Sequence, residues 1–238
     1  MAAIGAEILT TYFWYHLPKN GGSTIRHALQ EELGAEAFLH LGAGRRNEGL
    51  PGWEELTHDE RAEVRVVFGH DVFFDQTRGA VRESHELVVL REPASRTVSR
   101  YVYQMSRERP SEPQKFEDWL SEHPKSGSAQ LNWLRRHILP NEGTLSDDND
   151  VLDAVLERLQ EFFFVGTTDG IDRWGGPVLN RVGLKESETP PARNVAGKAF
   201  KKAGAATVDE ARAFLGKETP DDILYQFACE RVEQFLTQ

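Results

Sequence analysis

The chain has 238 residues, of which 39% are hydrophobic and 28% are charged, and its formal net charge is −10. This size and composition predict a globular α/β protein in which residues 1–238 form one domain. The acidic balance argues against nonspecific binding to nucleic acid or to an anionic membrane. The single cysteine, Cys229, excludes an intrachain disulfide and is predicted to be a small core residue. We find neither a signal-peptide pattern nor a long apolar run, and therefore expect a cytoplasmic protein.

The first recognisable unit is a strand, a glycine turn and a helix. The apolar run at 12–15 is typical of a buried strand, and the helix begins at Ser23. Between them lies the polar sequence Pro-Lys-Asn-Gly-Gly at 18–22. Backbone N–H groups and the dipole at a helix N-terminus attract anions, and glycines let an anion approach the backbone closely. The unit predicts a phosphate site with Lys19 as its cation, although an ordinary turn with a surface lysine explains it equally well.

Three further strands are predicted along the chain, at 64–68, 86–90 and 161–165, each a short apolar run. The segment 35–62 is interpreted as a connection with at most one short helix, and 71–84 as a loop. Helical periodicity fills the other intervals. Strands that alternate with helices predict a three-layer fold, in which helices flank a central parallel sheet.

The predicted helices are recognised by apolar spacing, by capping residues and by prolines at their first turn. The first helix ends near Gly34, and the next ones follow Pro93, contain Trp119 and contain Leu134. Later helices follow the Ser146–Asn149 cluster, contain Trp174 with an interruption at 175–177, and begin after a cap at Thr207. The last helix follows Thr219, and its predicted buried side consists of Ile223, Leu224, Phe227, Val232 and Phe235.

Four polar residues fall at the carboxyl ends of the predicted strands, namely Lys19, His70, Arg91 and Thr167. In open parallel sheets, ligands bind at this edge. The sequence therefore predicts that these side chains surround one ligand site.

Arg91 and Ser99 form a second candidate anion site. Arg91 directly follows the third predicted strand, and Ser99 lies about two helical turns further on. A guanidinium and a hydroxyl together bind phosphate well. The alternative, a surface arginine with a solvated serine, is weak for Arg91 and stronger for Arg96 and Arg100.

These stretches resemble the donor-binding motifs of sulfotransferases that use 3′-phosphoadenosine-5′-phosphosulfate (PAPS). Residues 18–24 are similar to their 5′-phosphosulfate loop, and residues 90–101, Leu-Arg-Glu-Pro-x-x-Arg-x-x-Ser-x-Tyr, are similar to their 3′-phosphate motif. Phe-Gly-His at 68–70, Phe-Val-Gly-Thr-Thr at 164–168 and Asp-Asp-Ile-Leu-Tyr at 221–225 resemble the carbohydrate branch that includes heparan sulfate 2-O-sulfotransferase.

The resemblance implies a P-loop NTPase-like sulfotransferase fold and a metal-independent reaction that leaves adenosine 3′,5′-bisphosphate. Lys19 would contact the phosphosulfate, and Arg91 with Ser99 would hold the 3′-phosphate. Glu92 replaces the aspartate of many relatives, and Asn-Gly-Gly replaces their Thr-Gly or Ala-Gly. The other donor-binding positions that the resemblance implies are Asn20, Gly21, Gly22, Ser23, Thr24, Arg193 and Lys198.

His70 is the candidate catalytic base, together with Lys19 as the catalytic cation. His70 ends a strand, and histidine side chains titrate near neutral pH, so they suit proton transfer from a hydroxyl. In relatives, a histidine at the matching position is thought to play this role. His16 is the competing candidate for the base, although its position before Leu-Pro at 17–18 suits a packing role better than a catalytic one. Asp71 and Asp75 are candidates to orient the imidazole.

The expected acceptor is a hydroxyl of a carbohydrate or of a small metabolite. The candidates to line an acceptor cleft are Trp133, Arg135, Arg136 and His137. An alternative explains this stretch at least as well: the tryptophan is a core residue and the arginines are solvated. Two rival functions stay open: a P-loop-like phosphotransferase such as a small-molecule kinase, and a catalytically silent nucleotide-binding module. The Gly-rich loop argues against the first, because Lys19 precedes the glycines, whereas a Walker lysine follows them.

Overall fold

The computed structural model describes residues 10–42, 52–80, 83–108, 110, 112, 114–140, 145, 147–183 and 206–238. Its strands are β1 Thr11–Tyr15, β2 Phe38–Leu41, β3 Val66–Gly69, β4 Ser84–Leu90 and β5 Phe164–Thr167. They form one sheet in the order β2-β3-β1-β4-β5, and all four pairings are parallel.

Helices separate and follow the strands within the described residues. In chain order they are α1 Gly22–Ala37, α2 His58–Glu63, α3 Phe74–Arg78, α4 Pro93–Glu108, α5 Phe116–Glu122, α6 Ala129–Ile138, α7 Asp148–Gln160, α8 Ile171–Arg181, α9 Val208–Leu215 and α10 Pro220–Leu236. None of these helices is long and apolar enough to cross a bilayer.

The sheet separates two apolar layers, as the alternation of side chains along β1 requires. Phe13 and Tyr15 belong to a core cluster shared with α6, α7 and α10. Tyr12 and Trp14 belong to the cluster on the opposite face, shared with α1 and α8. The predicted three-layer architecture, a central parallel sheet with helices on both faces, is therefore confirmed.

β1, β3 and β4 lie within two residues of their predicted bounds, whereas two other strands differ more. β2 lies in the segment 35–62, which was predicted to be a connection; it is only four residues long and follows a break in α1 at Gly34, where φ is 73°. The break agrees with the predicted helix end. β5 begins at Phe164, three residues later than predicted. Short strands give a weak alternation signal, which explains both errors.

Helix predictions fail at four points. Residues 71–84, predicted as a loop, contain α3. The helix predicted to break at 175–177 is continuous, with Pro177 inside α8. Ile223, predicted to be buried, is 41% exposed. Cys229 is half-buried and free, so it lies at the margin of the core.

The strand order places β1 in the middle of the sheet and defines one crevice. The chain leaves β1 towards β2 at one edge, and it leaves β4 towards β5 at the other edge. The loops that follow the adjacent strands β1 and β4 therefore diverge, and such a switch point is where open α/β sheets bind ligands. Lys19 and Arg91 lie in these two loops.

Candidate functional site

The loop between β1 and α1 has an unusual backbone. Lys19 and Gly21 both have φ near 74°, in the left-handed region that non-glycine residues seldom adopt. Gly21 caps α1 without any side-chain hydrogen bond. A Cβ atom at Gly22 would lie 1.9 Å from His16 Nε2, so only glycine fits there. The loop thus leads directly into a helix N-terminus that no side chain caps, as the sequence predicted for an anion site.

The Lys19 side chain is half-buried and rests on an aromatic ring of α4. Its Nζ atom lies 4.1 Å from the centroid of the Tyr103 ring, a cation–π contact. Burial, and then the nearby Arg91 guanidinium, lower the pKa of Lys19. The ammonium is therefore partly desolvated, and an anion would relieve the repulsion from Arg91.

Arg91 lies at the end of β4 and faces the first loop. Its Nη1 donates to the Lys19 carbonyl oxygen at 3.1 Å, and its buried Nε has no hydrogen-bond partner within the described part of the chain. Burial lowers the pKa of Arg91, against the opposing charges of Asp169 and Glu92. Glu92 itself accepts from the N–H groups of Ala94 and Ser95 and thus caps α4.

Helix α4 presents Arg96, Ser99 and Tyr103 on one face, since they are three and four residues apart. Arg96 is only 7% exposed, so the interpretation of it as a solvated surface residue was wrong. Its buried Nε has no partner in the residues that the structure covers, and burial lowers its pKa. Ser99 is half-buried, whereas Arg100 is exposed as expected.

The positive charges of these three residues are only partly offset: Asp169 and Glu92 act on Arg91, and Asp221 acts on Arg96. Among the described residues, Lys19, Arg91 and Arg96 form no salt bridge. Buried charge of one sign is unfavourable unless an ion of opposite charge binds. The arrangement therefore favours an anionic ligand that lies between the two loops.

Gln130, which the sequence analysis did not single out, joins these loops. This fully buried residue near the start of α6 accepts from Asn20 Nδ2 at 2.8 Å and from the Arg91 N–H at 3.0 Å, both through Oε1. Its Nε2 donates to the Arg91 carbonyl oxygen at 2.8 Å. Asn20 Nδ2 also donates to the Val89 carbonyl oxygen at 2.9 Å, so its side chain points into the protein and leaves only its backbone for a ligand.

A buried carboxylate holds Gln130 in turn. Asp221 Oδ1 and Oδ2 accept from the Gln130 N–H at 3.1 and 2.9 Å, and Oδ1 also accepts from the Leu131 N–H. Burial raises the pKa of Asp221 to about 7, although these N–H groups and Arg96 lower it. Asp222, not Asp221, caps the last helix with Thr219.

His70 follows β3, next to the first loop in the sheet order. Its Nδ1 lies 2.5 Å from the His16 carbonyl oxygen. A carbonyl only accepts, so Nδ1 carries a proton, and in the neutral tautomer of the ring Nε2 keeps its lone pair. The orienting group of Nδ1 is thus this carbonyl, and the role of Asp71 or Asp75 in orienting the imidazole stays a prediction. The lone pair on Nε2 is what a general base requires.

The competing histidine, His16, supports the His70 ring. The two rings stack with their centroids 4.3 Å apart at an interplanar angle of 21°. Burial, and then the positive potential of His70, His40, Arg26 and Lys19, lower the pKa of His16 well below its ordinary value. His16 is therefore neutral near pH 7, and its packing role agrees with the sequence-based preference.

Two of the predicted acceptor residues on α6 belong to an aromatic stack. Trp133 and His137 are both buried, and their rings lie 3.6 Å apart at 7°. Phe73, which is 39% exposed, stacks on His137 at 4.7 Å. Trp133 is therefore a core residue, and Phe73 presents the aromatic surface on this side. Arg136 is exposed, as its alternative interpretation held.

The remaining predicted site residues are divided between the described and undescribed parts of the chain. Thr24 is buried and Ser23 is half-buried, both in the first turn of α1. The predicted positions Arg193 and Lys198 lie outside the described residues. Over the described ranges, we find no group of three or more His, Cys, Asp or Glu residues arranged to hold a metal ion.

Comparisons with known proteins are sparse. No protein-family model matches the chain, and no curated protein matches it. Among solved structures, it is similar to a sulfotransferase from Alicyclobacillus acidocaldarius, with 17% sequence identity, 96% of each chain covered and a TM-score of 0.46. A likeness this distant assigns no activity to the chain.

Proposed function

We propose that this protein is a sulfotransferase that transfers a sulfuryl group from PAPS to an acceptor hydroxyl. One observation carries the proposal: two separate cationic loops, one with Lys19 and one with Arg91, meet at the switch point between β1 and β4. A donor with phosphate groups at both its 5′ and 3′ positions requires two anion pockets at a fixed distance.

The backbone N–H groups and the cationic side chains of the two loops are of the types that bind the phosphates of such a donor. The N–H groups of the first turn of α1 suit a 5′-phosphate, because the helix begins at the left-handed Gly21 and no side chain caps it. Arg91 and Ser99 would hold the 3′-phosphate, with Arg96 adding buried positive charge behind them. The donor supplies the activated sulfuryl group.

Chemistry at the acceptor would depend on His70 and Lys19. Nε2 of His70 would accept the proton of the attacking hydroxyl. Lys19 would move from Tyr103 towards the charge that develops on the leaving phosphate, where a partly desolvated ammonium acts strongly. The acceptor is a hydroxyl compound of low charge, a saccharide or a small metabolite, since a chain with a net charge of −10 repels a polyanion.

The rival functions predict other behaviour. A kinase would bind ATP with Mg²⁺ and would use carboxylates for the metal. Asp169, which lies just beyond β5, accepts a hydrogen bond from Tyr225 at 2.8 Å instead. A silent binding module would have no need of a histidine whose Nδ1 is held by the His16 carbonyl at the end of a strand.

The experiment is a turnover assay with PAPS and a panel of hydroxyl acceptors, namely monosaccharides, oligosaccharides, phenols and aliphatic alcohols, with EDTA present. Formation of adenosine 3′,5′-bisphosphate together with a sulfated acceptor is expected. Donor binding without turnover on any acceptor class would favour the binding module. Turnover of ATP with Mg²⁺ in place of PAPS would favour the phosphotransferase.

A further inference from the structure

Gln130 joins the two cationic loops, in addition to the direct bonds from Arg91 to the Lys19 carbonyl and from Asn20 to the Val89 carbonyl. Its side chain makes three hydrogen bonds of 2.8 to 3.0 Å, one to Asn20 of the first loop and two to the backbone of Arg91 in the second. The residue is 0% exposed. Its partners lie 110 and 39 residues away in the chain, so no local structure enforces these contacts.

The bonds leave the amide of Gln130 little freedom. Oε1 accepts two hydrogen bonds, and Nε2 donates one to the Arg91 carbonyl. If the amide rotated by half a turn, a donor would face a donor at two contacts and an acceptor would face an acceptor at the third. The backbone N–H of Gln130 donates to Asp221, which fixes the start of α6. Both polar atoms of the Gln130 amide are thus used in hydrogen bonds, and a buried group held in this way favours one arrangement of its partners.

We propose that Gln130 is a positioning residue that sets the distance between the two anion pockets and thereby selects ligands with two phosphate groups. The inference rests on the proposed function, because it concerns the binding of the donor. Gln130 touches no ligand in this account. It acts through Asn20 and Arg91, whose loops carry the 5′ and 3′ sites.

Two linked contacts bind more tightly than one because the second forms within the complex, and this gain is lost when the spacing is wrong. Without the Gln130 side chain, each pocket would still bind one phosphate. A ligand with both phosphates would lose the additional affinity that it gains from occupying the two pockets at once. The selective loss of that advantage distinguishes a positioning residue from one that only stabilises the fold.

The experiment compares Gln130→Met with wild type by calorimetric titration of adenosine 3′,5′-bisphosphate, adenosine 5′-monophosphate and adenosine 3′-monophosphate. Methionine keeps the length of the side chain and removes its polar groups. We expect the affinity for the bisphosphate to fall about tenfold or more, and the affinity for each monophosphate to change less than about threefold. Gln104→Met is the matched control, since Gln104 accepts from Trp119 Nε1 at 3.0 Å within the aromatic cluster of α4 and α5 and should leave both affinities unchanged.

Asn20→Ala tests the same bond from the other side if Gln130→Met does not fold, as judged by its thermal unfolding. It should lower the preference for the bisphosphate in the same way, and the double variant should lose less than the sum of the single losses. An unchanged preference in folded variants would overturn the inference and leave the proposed function intact. If wild type bound none of the three nucleotides, the proposed function and this inference would fall together.

Discussion

The Nδ1–H of His70 donates to the carbonyl oxygen of His16 while the two imidazole rings stack. The pair fixes both the tautomer and the orientation of His70. Because the contact partner is a backbone atom of the strand-to-loop junction, the position of the proposed base is tied to the loop that carries Lys19. The base and the cation are therefore parts of one rigid junction at the end of β1.

The first prediction concerns the base itself. His70→Ala should lower kcat by about 100-fold or more, which is the usual contribution of general-base catalysis. The affinity for adenosine 3′,5′-bisphosphate should stay unchanged, because His70 lies on the far side of Lys19 from Arg91 in the strand order. His27→Ala, which changes a histidine on α1 paired with Glu31, is the control. Normal turnover by His70→Ala would remove His70 from the mechanism.

Lys19 should act mainly in the transition state. Lys19→Ala is expected to lower kcat by about 100-fold, while product affinity falls much less, because the resting ammonium is held by Tyr103 and not by a phosphate. Steady-state kinetics and calorimetry on the same preparation separate the two effects. Lys217→Ala removes an exposed lysine and should change neither. Equal losses in kcat and in product affinity would contradict this role.

Gly22→Ala tests the contact between the anion loop and the histidine pair. The added methyl group would lie 1.9 Å from His16 Nε2, so the His16 ring must shift, and the stacked His70 ring with it. We expect Gly22→Ala to show both a lower kcat and weaker binding of the donor. Gly176→Ala is the control, because a Cβ atom there meets nothing within 4 Å and alanine favours the helix. Full activity of Gly22→Ala would show that the loop and the histidines are not coupled.

Asp221 should give the protein a distinctive dependence of stability on pH. Its folded pKa of about 7 exceeds its ordinary value of 3.8 because burial penalises the charge. The folded state therefore binds a proton that the unfolded state has released, and the favourable contribution of Asp221 is complete below pH 3.8 and is lost as the pH rises to about 7. Over that range, wild type should lose about 4 kcal/mol of stability relative to Asp221→Asn.

Urea unfolding of wild type and Asp221→Asn across this pH range provides the measurement. Asp222→Asn gives a control of opposite sign. Although burial opposes the shift, the bonds from Thr219 and Arg212 lower the pKa of Asp222, so wild type should lose stability relative to this variant as the pH falls. A pH-independent difference between wild type and Asp221→Asn would show that the carboxylate is not destabilised by burial.

The sheet and the ends of its strands were predictable because the information is local. An apolar run followed by a polar residue identifies each of β1, β3 and β4, and parallel pairing then brings Lys19, His70 and Arg91 to one edge. The strand β2 was missed because a four-residue run that includes a histidine gives almost no alternation.

The supporting network was not predictable, because its contacts join distant parts of the chain. Gln130 lies 110 residues from Asn20, and Asp221 lies 91 residues from Gln130. Gln130 lies in no motif, and although Asp221 belongs to the stretch 221–225 that resembles the carbohydrate branch, that resemblance names no contact partner. The burial of Arg96 has the same explanation: helical periodicity places it on the face of Ser99, but only the packed structure shows that this face is covered.

The most direct test of the account is a calorimetric titration of adenosine 3′,5′-bisphosphate, without metal, into wild type and Arg91→Ala. Arg107→Ala, which changes an exposed arginine near the end of α4, serves as control. The account predicts tight metal-independent binding to wild type and to the control, and a loss of about tenfold or more in Arg91→Ala. Absence of binding to wild type, or binding of ATP alone and only with Mg²⁺, would contradict it.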